Sequence, residues 1–277
     1  MDDWLLYHYT NQTGLLGIVE TRELWASKIQ YLNDTTEFNH GLNHITHLLE
    51  ERERESTDQI DRNYIAALRE SVERLSMLNV FVVSFSATGD LLSQWRAYSR
   101  NELGYAVGFR IDRLRQLASR QGFALEQCIY NPEQQRKRAV ETVDHHLDYF
   151  RTLRERFTDA QSIEHWTESL AGEFYPHVCA LAPLLKDQTF REEREWRLIS
   201  IPKSTRDKEY GIRSGRNFLV PYYSFSLVED SKFTIDGVIV GPSPEKELAQ
   251  RGVADLLVSK GVVGCSVQSS RIPFRGP

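Results

Sequence analysis

The sequence predicts an α+β protein, because its helix-like stretches come in blocks that are separated by strands. Short apolar runs, such as those at 79–86 and 104–111, are typical of buried strands. Two long, highly charged stretches, at about 38–78 and 132–186, carry apolar residues at helical spacing. A regular β-α-β protein would place single helices between single strands, so this order favours the α+β class.

The N-terminal part is predicted to run strand, helix, strand. Residues 4–9 resemble a short buried strand, and residues 23–29 alternate as a second strand does. Between them, Asn11 or Thr13 is suited to cap a helix with an apolar stripe made by Leu15, Leu16, Ile18 and Val19. The turn at 32–37 leads into the first helical block, where Asp34 is a suitable cap and Glu37 completes a pattern close to a capping box.

The remaining elements follow from apolar runs and their turn residues. Further strands are predicted at 127–130, 195–201, 217–222, 235–240 and 264–269, and further helices at 91–99 and 245–260. Residues 203–217 are rich in Lys, Arg and Gly and are predicted to be a loop. Gly241-Pro242-Ser243-Pro244 lacks the lysine and the glycine series of a phosphate loop, so it is predicted to be a tight turn.

Composition excludes some classes of protein. A chain of 277 residues that is 40% hydrophobic can bury a real core. Its net charge of −5 argues against a sequence-independent nucleic-acid binder, because there is no excess of cations to neutralise phosphates. A local basic groove stays open as an option.

The cellular location is predicted from the cysteines and from the apolar runs. The three cysteines, Cys128, Cys179 and Cys265, are scattered without a CxxC motif, which favours a reduced, intracellular protein. The acidic N-terminus does not resemble a signal peptide. No apolar run approaches the roughly 20 residues that span a bilayer. We therefore expect a soluble, cytoplasmic protein that does not enter membranes.

Two carboxylates at the start of the predicted strand 195–201 are the main candidates for chemistry. Glu193 and Glu195 stand two positions apart, so on a strand both would point into one space. Two like charges that close are costly unless a ligand, a cation or solvent compensates them. The competing interpretation is a solvated edge, or salt bridges to neighbouring arginines: Arg191, Arg194 and Arg197.

Two other polar segments stand at predicted strand ends. His8 lies within Tyr7-His8-Tyr9-Thr10, and a pair of hydroxyls lies in Ser84-Phe85-Ser86. Taken alone, His8 is explained by a hydrogen-bonded core histidine, and the serines by an ordinary strand end. His40, His44 and His47, with Glu37, have helical spacing that could seat a metal, but no further ligand motif accompanies them, so no metal site is predicted.

The order of these segments resembles the ADP-ribosyltransferase superfamily. Tyr7-His8-Tyr9-Thr10, followed by Leu15-Leu16-Gly17-Ile18 and Leu24-Trp25, is similar to that family's first strand, helix and second strand. Ser84-Phe85-Ser86, followed by Ser93-Gln94-Trp95-Arg96-Ala97-Tyr98, is similar to its middle strand and the next helix. Glu193-Arg194-Glu195-Trp196 is similar to the Glu-x-Glu element that carries its catalytic glutamate.

This resemblance implies a single domain, 1–277, built on a split β-sheet around a cleft, with helical insertions at about 38–78 and 132–186. It implies NAD as substrate, Glu195 at the ribose, and Glu193 at the acceptor. His8, with Tyr9 and Thr10, would bind the rest of NAD, and Ser84 and Ser86 would orient Glu195. Phe85, Trp95 or Tyr98 would stack on nicotinamide, and Arg96 or Arg197 would meet the pyrophosphate.

The chain also resembles, over nearly its whole length, an uncharacterised bacterial domain family. The hallmarks of that family appear as His8-Tyr9-Thr10, Leu32-Asn33-Asp34 with Glu37, Ser84-Phe85-Ser86, Glu193-Arg194-Glu195-Trp196-Arg197, Gly241-Pro242 and Ser270-Arg271-Ile272-Pro273-Phe274-Arg275. No settled activity comes with this second resemblance.

The function expected from the sequence is therefore transfer of ADP-ribose from NAD to an unidentified protein or nucleic-acid acceptor. By analogy, the context would be a bacterial toxin or defence effector, with an inhibitory partner protein as one option. Two other functions remain open: an NAD glycohydrolase, and a non-enzymatic nucleotide-binding sensor.

Overall fold

A computed structural model describes residues 4–32, 35–75, 78–98, 103–156, 160–215 and 217–273. Its helices are α1 (Gln12–Thr21), α2 (Thr35–Glu55), α3 (Gln59–Arg74), α4 (Leu92–Tyr98), α5 (Ile111–Gln121), α6 (Pro132–Arg154), α7 (Ala160–Leu181) and α8 (Lys246–Ser259). Its strands are β1 (Leu5–Asn11), β2 (Glu23–Lys28), β3 (Phe81–Ser86), β4 (Gly104–Arg110), β5 (Phe123–Gln127), β6 (Glu195–Ser200), β7 (Tyr210–Ser214), β8 (Leu219–Ser226), β9 (Val228–Glu229), β10 (Lys232–Phe233), β11 (Gly237–Val240) and β12 (Ser266–Ser269). The predicted α+β class is confirmed.

Ten of these strands form one mixed sheet. Its main path runs β12-β11-β4-β1-β3-β2-β8-β7, and β6 and β5 extend it from β3. The β11–β12 pair is parallel, whereas the other pairs in this sheet are antiparallel. Strands β9 and β10 form a separate hairpin.

The sheet divides along β3. Strand β6 occupies one edge of β3 over residues 82–86. Strands β1 and β2 both lie on the other edge, at opposite ends: Tyr7 pairs with Ser86, and Ser27 pairs with Val82. Since a strand has only two edges, β1 and β2 must diverge from each other between these points. The Nδ1 atom of His8 reaches the Ser84 carbonyl oxygen across this divergence, at 3.0 Å.

Two apolar cores lie against the sheet. The first packs α1, α5 and α8 against one face, with Leu6, Phe85, Val107 and Phe109 among its buried strand residues. The second joins α2, α3, α6 and α7, and the strand residues Val82 and Ile199 belong to it. The helical blocks therefore cover the end of β3 and β6 on one face.

Each predicted helical block is two helices, and a side-chain cap is found at the break of the first block and at the start of the second. The first block divides at 56–58, where the Asp58 side chain accepts hydrogen bonds from the backbone N–H groups of Ile60 and Asp61. At the start of the second, the Asn131 side chain accepts from the Gln134 N–H group, and proline occupies the first turn of α6. Both are ordinary helix starts, because a side-chain oxygen satisfies an N–H group that the helix cannot.

Two local predictions are corrected, and one helix lies where none is predicted. Helix α5 was not predicted, because only Leu114, Leu117 and Ala118 are buried in an otherwise polar segment. The strand predicted at 127–130 lies earlier, as β5. Part of the predicted loop 203–217 is β7, which its pairing with β8 stabilises although its five residues include glycine, arginine and serine and none is fully buried.

Some predicted features lie outside the described residues. These are the Asn33 and Asp34 turn and the end of the C-terminal hallmark, Phe274 and Arg275; the side chain of Glu37 is outside them as well.

Candidate active site

Glu193 and Glu195 approach each other by a different local route from the predicted one. Residues Gln188–Glu193 form a 3-10 helix, Arg194 adopts a left-handed conformation with φ of 45°, and β6 begins only at Glu195. Glu193 is therefore not on the strand, which corrects the alternation argument. The turn at Arg194 nevertheless directs both carboxylates to one cation.

That cation is Lys186. Its Nζ atom lies 2.6 Å from Glu193 Oε2 and 2.6 Å from Glu195 Oε2. Arg197 completes the group, because its Nε and Nη2 atoms donate to the two oxygens of Glu195 at 2.7 and 3.1 Å. We refer to Lys186, Glu193, Glu195 and Arg197 as the Glu195 cluster.

The Glu195 cluster is buried and its formal charges cancel. The side chains of Lys186, Glu195 and Arg197 are 6, 6 and 4% exposed, whereas Glu193 is 21% exposed. Burial alone would raise the pKa of Glu195, but the Arg197 guanidinium and the Lys186 ammonium outweigh burial and hold that pKa at about 2. Glu195 is therefore a fixed anion at physiological pH.

Backbone contacts from several elements hold the cluster in place. The Glu195 N–H group donates to the Tyr130 hydroxyl at 2.8 Å, and Arg197 donates to the Pro183 carbonyl. The buried Gln135 side chain, on α6, donates to the Ile129 and Lys186 carbonyls at 2.6 and 2.7 Å. The geometry of the site thus depends on the second helical block as well as on the sheet.

Lys186 was not singled out from the sequence. Its signal was a single cation directly after the apolar tract Ala180–Leu185, where a lysine is rarely buried without a partner.

The two serines lie beside the cluster but do not orient Glu195. Ser86 pairs with Glu195 across β3 and β6, so their side chains share one face. The Ser86 hydroxyl, however, donates to the Glu193 carbonyl at 2.7 Å and accepts from the Thr88 N–H group at 3.0 Å. Ser84 offers its backbone carbonyl to His8. The orienting role predicted for both serines belongs instead to Lys186 and Arg197.

His8 and Thr10 lie on the opposite face of the sheet from Glu195. Tyr7, Ser86 and Glu195 pair in register and share a face, so the neighbouring His8 points to the other side. The His8 ring packs edge-on against Phe85, with ring centroids 5.9 Å apart, and its burial lowers its pKa. Strand alternation therefore places His8 and Thr10 on one face of the sheet, and Tyr7, Tyr9, Ser86 and Glu195 on the other.

Two of the three predicted stacking residues, Phe85 and Trp95, are buried, and so is Tyr9 of the first segment. Phe85 and Trp95 are 2 and 3% exposed, and the Trp95 Nε1 atom donates to Asp90. Tyr9 is 4% exposed, and its hydroxyl donates to the Thr88 carbonyl and accepts from the Leu91 N–H group. As they stand, these rings cannot stack on a ligand.

Tyr98 is the accessible aromatic residue among those predicted. It is 36% exposed at the end of α4, and its pKa is raised to about 12 by desolvation and by the carboxylates of Glu195 and Glu193. The two arginines predicted to contact the pyrophosphate differ in accessibility. Arg197 is 3% exposed and already paired with Glu195, whereas Arg96 is exposed.

Other candidate sites find less support. Within the described ranges, no group of three or more His, Cys, Asp or Glu side chains is arranged to hold a metal ion. Two surface depressions border α8 and β12, one of them lined by Glu247, Gln250, Arg251, Ala254, Cys265 and Val267, on elements that carry none of the cluster residues. None of the described helices is long and apolar enough to cross a bilayer.

Comparison with known proteins assigns one segment of the chain. Residues 94–198 match the model of a family described as a protein of unknown function, DUF2971. This segment includes Tyr98 and the whole Glu195 cluster, so the prediction of an uncharacterised family is confirmed there. Comparisons with curated proteins and with solved structures found no match.

Proposed function

We propose that this protein is an NAD-dependent ADP-ribosyltransferase in which Glu195 acts at the ribose. The observation that carries the proposal is the Glu195 carboxylate, which Lys186 and Arg197 hold ionised. Glu195 lies on β6, and β6 pairs with β3, the strand along which the sheet divides. A finer description of the fold, as a split sheet of the ADP-ribosyltransferase type, belongs to the same proposal. Its support is the divergence of β1 and β2 along β3.

The proposed reaction breaks the bond between the ribose C1′ atom and the nicotinamide nitrogen. The bond's electron pair leaves with nicotinamide, which becomes neutral, and positive charge develops on the ribose. A fixed carboxylate close to that charge lowers the barrier. With a pKa of about 2, Glu195 fits this electrostatic role and is a poor general base.

Glu193 fits the acceptor side of the reaction. It is more exposed than Glu195, so it is the first carboxylate that an incoming acceptor meets. As the acceptor nucleophile attacks C1′, Glu193 takes the proton that the nucleophile loses. Tyr98 is the accessible ring that would pack against nicotinamide, and Arg96 is the exposed cation for the pyrophosphate. For this to happen, Lys186 has to release at least Glu193.

The test is release of nicotinamide from labelled NAD, with and without a cell lysate as the source of acceptor. We expect the wild-type protein to release nicotinamide and to label an acceptor, and Glu195→Gln to lower the rate at least a hundredfold. Glu192→Gln changes an exposed carboxylate three positions away and is the matched control. Glu193→Gln, a less buried change, guards against a Glu195 variant that fails to fold.

Two outcomes would redirect the proposal. Free ADP-ribose without a labelled acceptor would indicate an NAD glycohydrolase. No nicotinamide release by a folded wild-type protein would contradict catalysis altogether.

A second candidate function is a non-enzymatic nucleotide-binding sensor. The observation that favours it is the Lys186 ammonium, which occupies both carboxylates at 2.6 Å and leaves the cluster neutral and closed. Measurable NAD binding with intact NAD after long incubation would support this function.

A further inference from the structure

Exposed aromatic rings lie on β2, in the 3-10 turn Ile29–Tyr31 that follows it, and directly before β8, away from the Glu195 cluster. Trp25, Tyr31 and Phe218 are 43, 37 and 59% exposed. Trp25 stacks on Tyr222, and Tyr31 meets Phe218 edge-on with ring centroids 5.8 Å apart. We refer to these four residues, together with Arg213, as the Trp25 ledge.

The stack at the centre of the ledge is held rigidly. The Trp25 and Tyr222 centroids are 4.5 Å apart and their planes differ by 23°. Tyr222 lies close over the backbone of β7, because a Cβ atom at Gly211 would come within 2.5 Å of its ring. Rings that are fixed before binding lose little conformational freedom when a ligand stacks on them.

The ledge also carries one fixed cation. The Arg213 guanidinium donates to the Ser27 hydroxyl at 3.0 Å, and Ser27 pairs with Tyr222 in the sheet. The Asp207 carboxylate, from the adjacent loop, accepts a hydrogen bond from the Tyr223 hydroxyl. The Tyr223 side chain points to the opposite face of the sheet from Tyr222, so Asp207 is bound away from the ledge. On β2, the acidic residue Glu23 points to the same face as Trp25.

Strand register places the ledge and Glu195 on the same face of the sheet. Ser27 pairs with Val82, and Val82 pairs with Ile199. Trp25 is two positions from Ser27 on β2, and Glu195 is four positions from Ile199 on β6. Side chains an even number of positions apart on a strand share a face, so Trp25 and Glu195 point to the same face of the sheet.

We propose that the Trp25 ledge binds single-stranded nucleic acid. Exposed rings stack on bases only where the bases are not already stacked in a duplex, and a nearby arginine pairs with phosphate. The net charge of −5 provides no general attraction for any nucleic acid, so the local features of the ledge, its rings and Arg213, must supply the affinity. The binding itself does not depend on the proposed enzymatic activity. That the bound strand is the ADP-ribose acceptor rests on the proposed function.

Fluorescence anisotropy with a labelled 20-nucleotide poly-dT or poly-U strand tests the proposal. We expect binding to the full-length protein that is at least tenfold tighter than to a duplex of equal length. Trp25→Ala should weaken binding about tenfold, as expected for the loss of one stacked base. Arg213→Gln should weaken it several-fold and reduce the slope of affinity against salt by about 0.7, which is one phosphate contact.

Matched changes separate binding from folding. Tyr149→Ala removes an equally exposed aromatic side chain from α6, and Arg138→Gln removes an exposed arginine from the same helix; both should bind as wild type does. Thermal unfolding should show that each variant is folded. Glu23→Gln should strengthen binding, since it removes repulsion from phosphate, whereas a cationic peptide partner would be weakened by it.

Three results would overturn the proposal: no binding of either strand at low salt, equal binding by folded Trp25→Ala, or equal affinity for a single mononucleotide. Nicotinamide release is measured separately. A wild-type protein that cleaves NAD but binds no strand contradicts the ledge alone, and a wild-type protein that binds the strand but does not cleave NAD contradicts the proposed function alone.

Discussion

Two networks of charged side chains among the described residues are built differently. In the helical region, Asp61 accepts from Arg151 at 2.8 Å and from Arg154 at 2.6 Å, and Arg154 also reaches Asp58. We refer to these four residues as the Asp61 cluster. The Asp61 side chain is 8% exposed, but its two arginines are 44 and 25% exposed. In the Glu195 cluster both cations are at most 6% exposed.

The difference lies in what each network does for the fold. The Asp61 cluster joins α3 to α6 at the surface, where its arginines keep contact with water and the desolvation cost is small. The Glu195 cluster takes two cations and a carboxylate almost fully out of water, where apolar side chains of similar size often stabilise as well or better. Stability alone therefore explains the first network more readily than the second, which supports a functional role for Glu195.

The largest effect is expected from Glu195→Gln. Removal of this carboxylate leaves Arg197 buried without its charge partner and Lys186 with Glu193 alone. The free energy of unfolding should fall by about 3–5 kcal/mol, as measured by urea denaturation. Glu192→Gln should stay within about 0.5 kcal/mol of wild type. A loss for Glu195→Gln no larger than the about 1–2 kcal/mol expected for Asp61→Asn would contradict the difference between the two networks.

Acidification should affect the two regions in different pH windows. Burial, together with His177 and His145, lowers the pKa of His146 from 6.5 to about 4. The unfolded chain therefore takes up this proton first, and stability should fall by up to about 3 kcal/mol between pH 6.5 and pH 4. The lowered pKa of Glu195 places its loss of stability lower, between pH 4.5 and about pH 2.

Unfolding free energies measured across this pH range, with His146→Gln, test that separation. This variant should show a smaller upper step, since the lowered pKa of the buried His8 contributes a loss in the same direction, whereas His145→Gln, at an exposed neighbouring position, should keep nearly the full step. A wild-type protein of constant stability down to pH 4 would contradict the assignment.

Asp61→Asn should have a smaller effect than Glu195→Gln, because the freed arginines can reach water. We expect a loss of about 1–2 kcal/mol in urea denaturation. NAD turnover by the folded variant should be unchanged. If the loss equalled that of Glu195→Gln, exposure would not be the property that distinguishes the two networks.

The smallest expected effect is that of Asn131→Ala at the start of α6. Loss of this cap should cost about 1 kcal/mol, because the Gln134 N–H group loses its partner. Helix α6 carries Gln135 near its start and Arg151 and Arg154 near its end, so it contacts both networks. Amide hydrogen exchange should rise in its first turn and at Lys186, but not around Asp61. Gln134→Ala, which keeps the N–H group, is the control.

Local patterns predicted most of the elements, and long-range pairing decided the rest. The strand at 79–86 and the helix at 245–260 were recognisable because their own apolar residues repeat with the right period. Strand β7 was not recognisable, since its partner β8 stabilises it while its own side chains are largely polar or exposed. Helix α5 was missed because only three of its residues reach the core.

For the candidate site, the sequence by itself determined that two carboxylates, Glu193 and Glu195, stand two positions apart and that such a pair needs compensation if it is brought together. Only the tertiary structure decided that the turn at Arg194 directs both to one cation, and what compensates them: Lys186, which precedes the pair in the chain, and Arg197 from the strand itself. It also decided that His8 faces away from Glu195, because the pairing of β1 and β6 with β3 fixes each side chain to one face. The physical reason is the distance along the chain over which each effect acts. Local spacing determines which residues are close in sequence, whereas the face to which a strand residue points and its buried partners depend on contacts between distant segments.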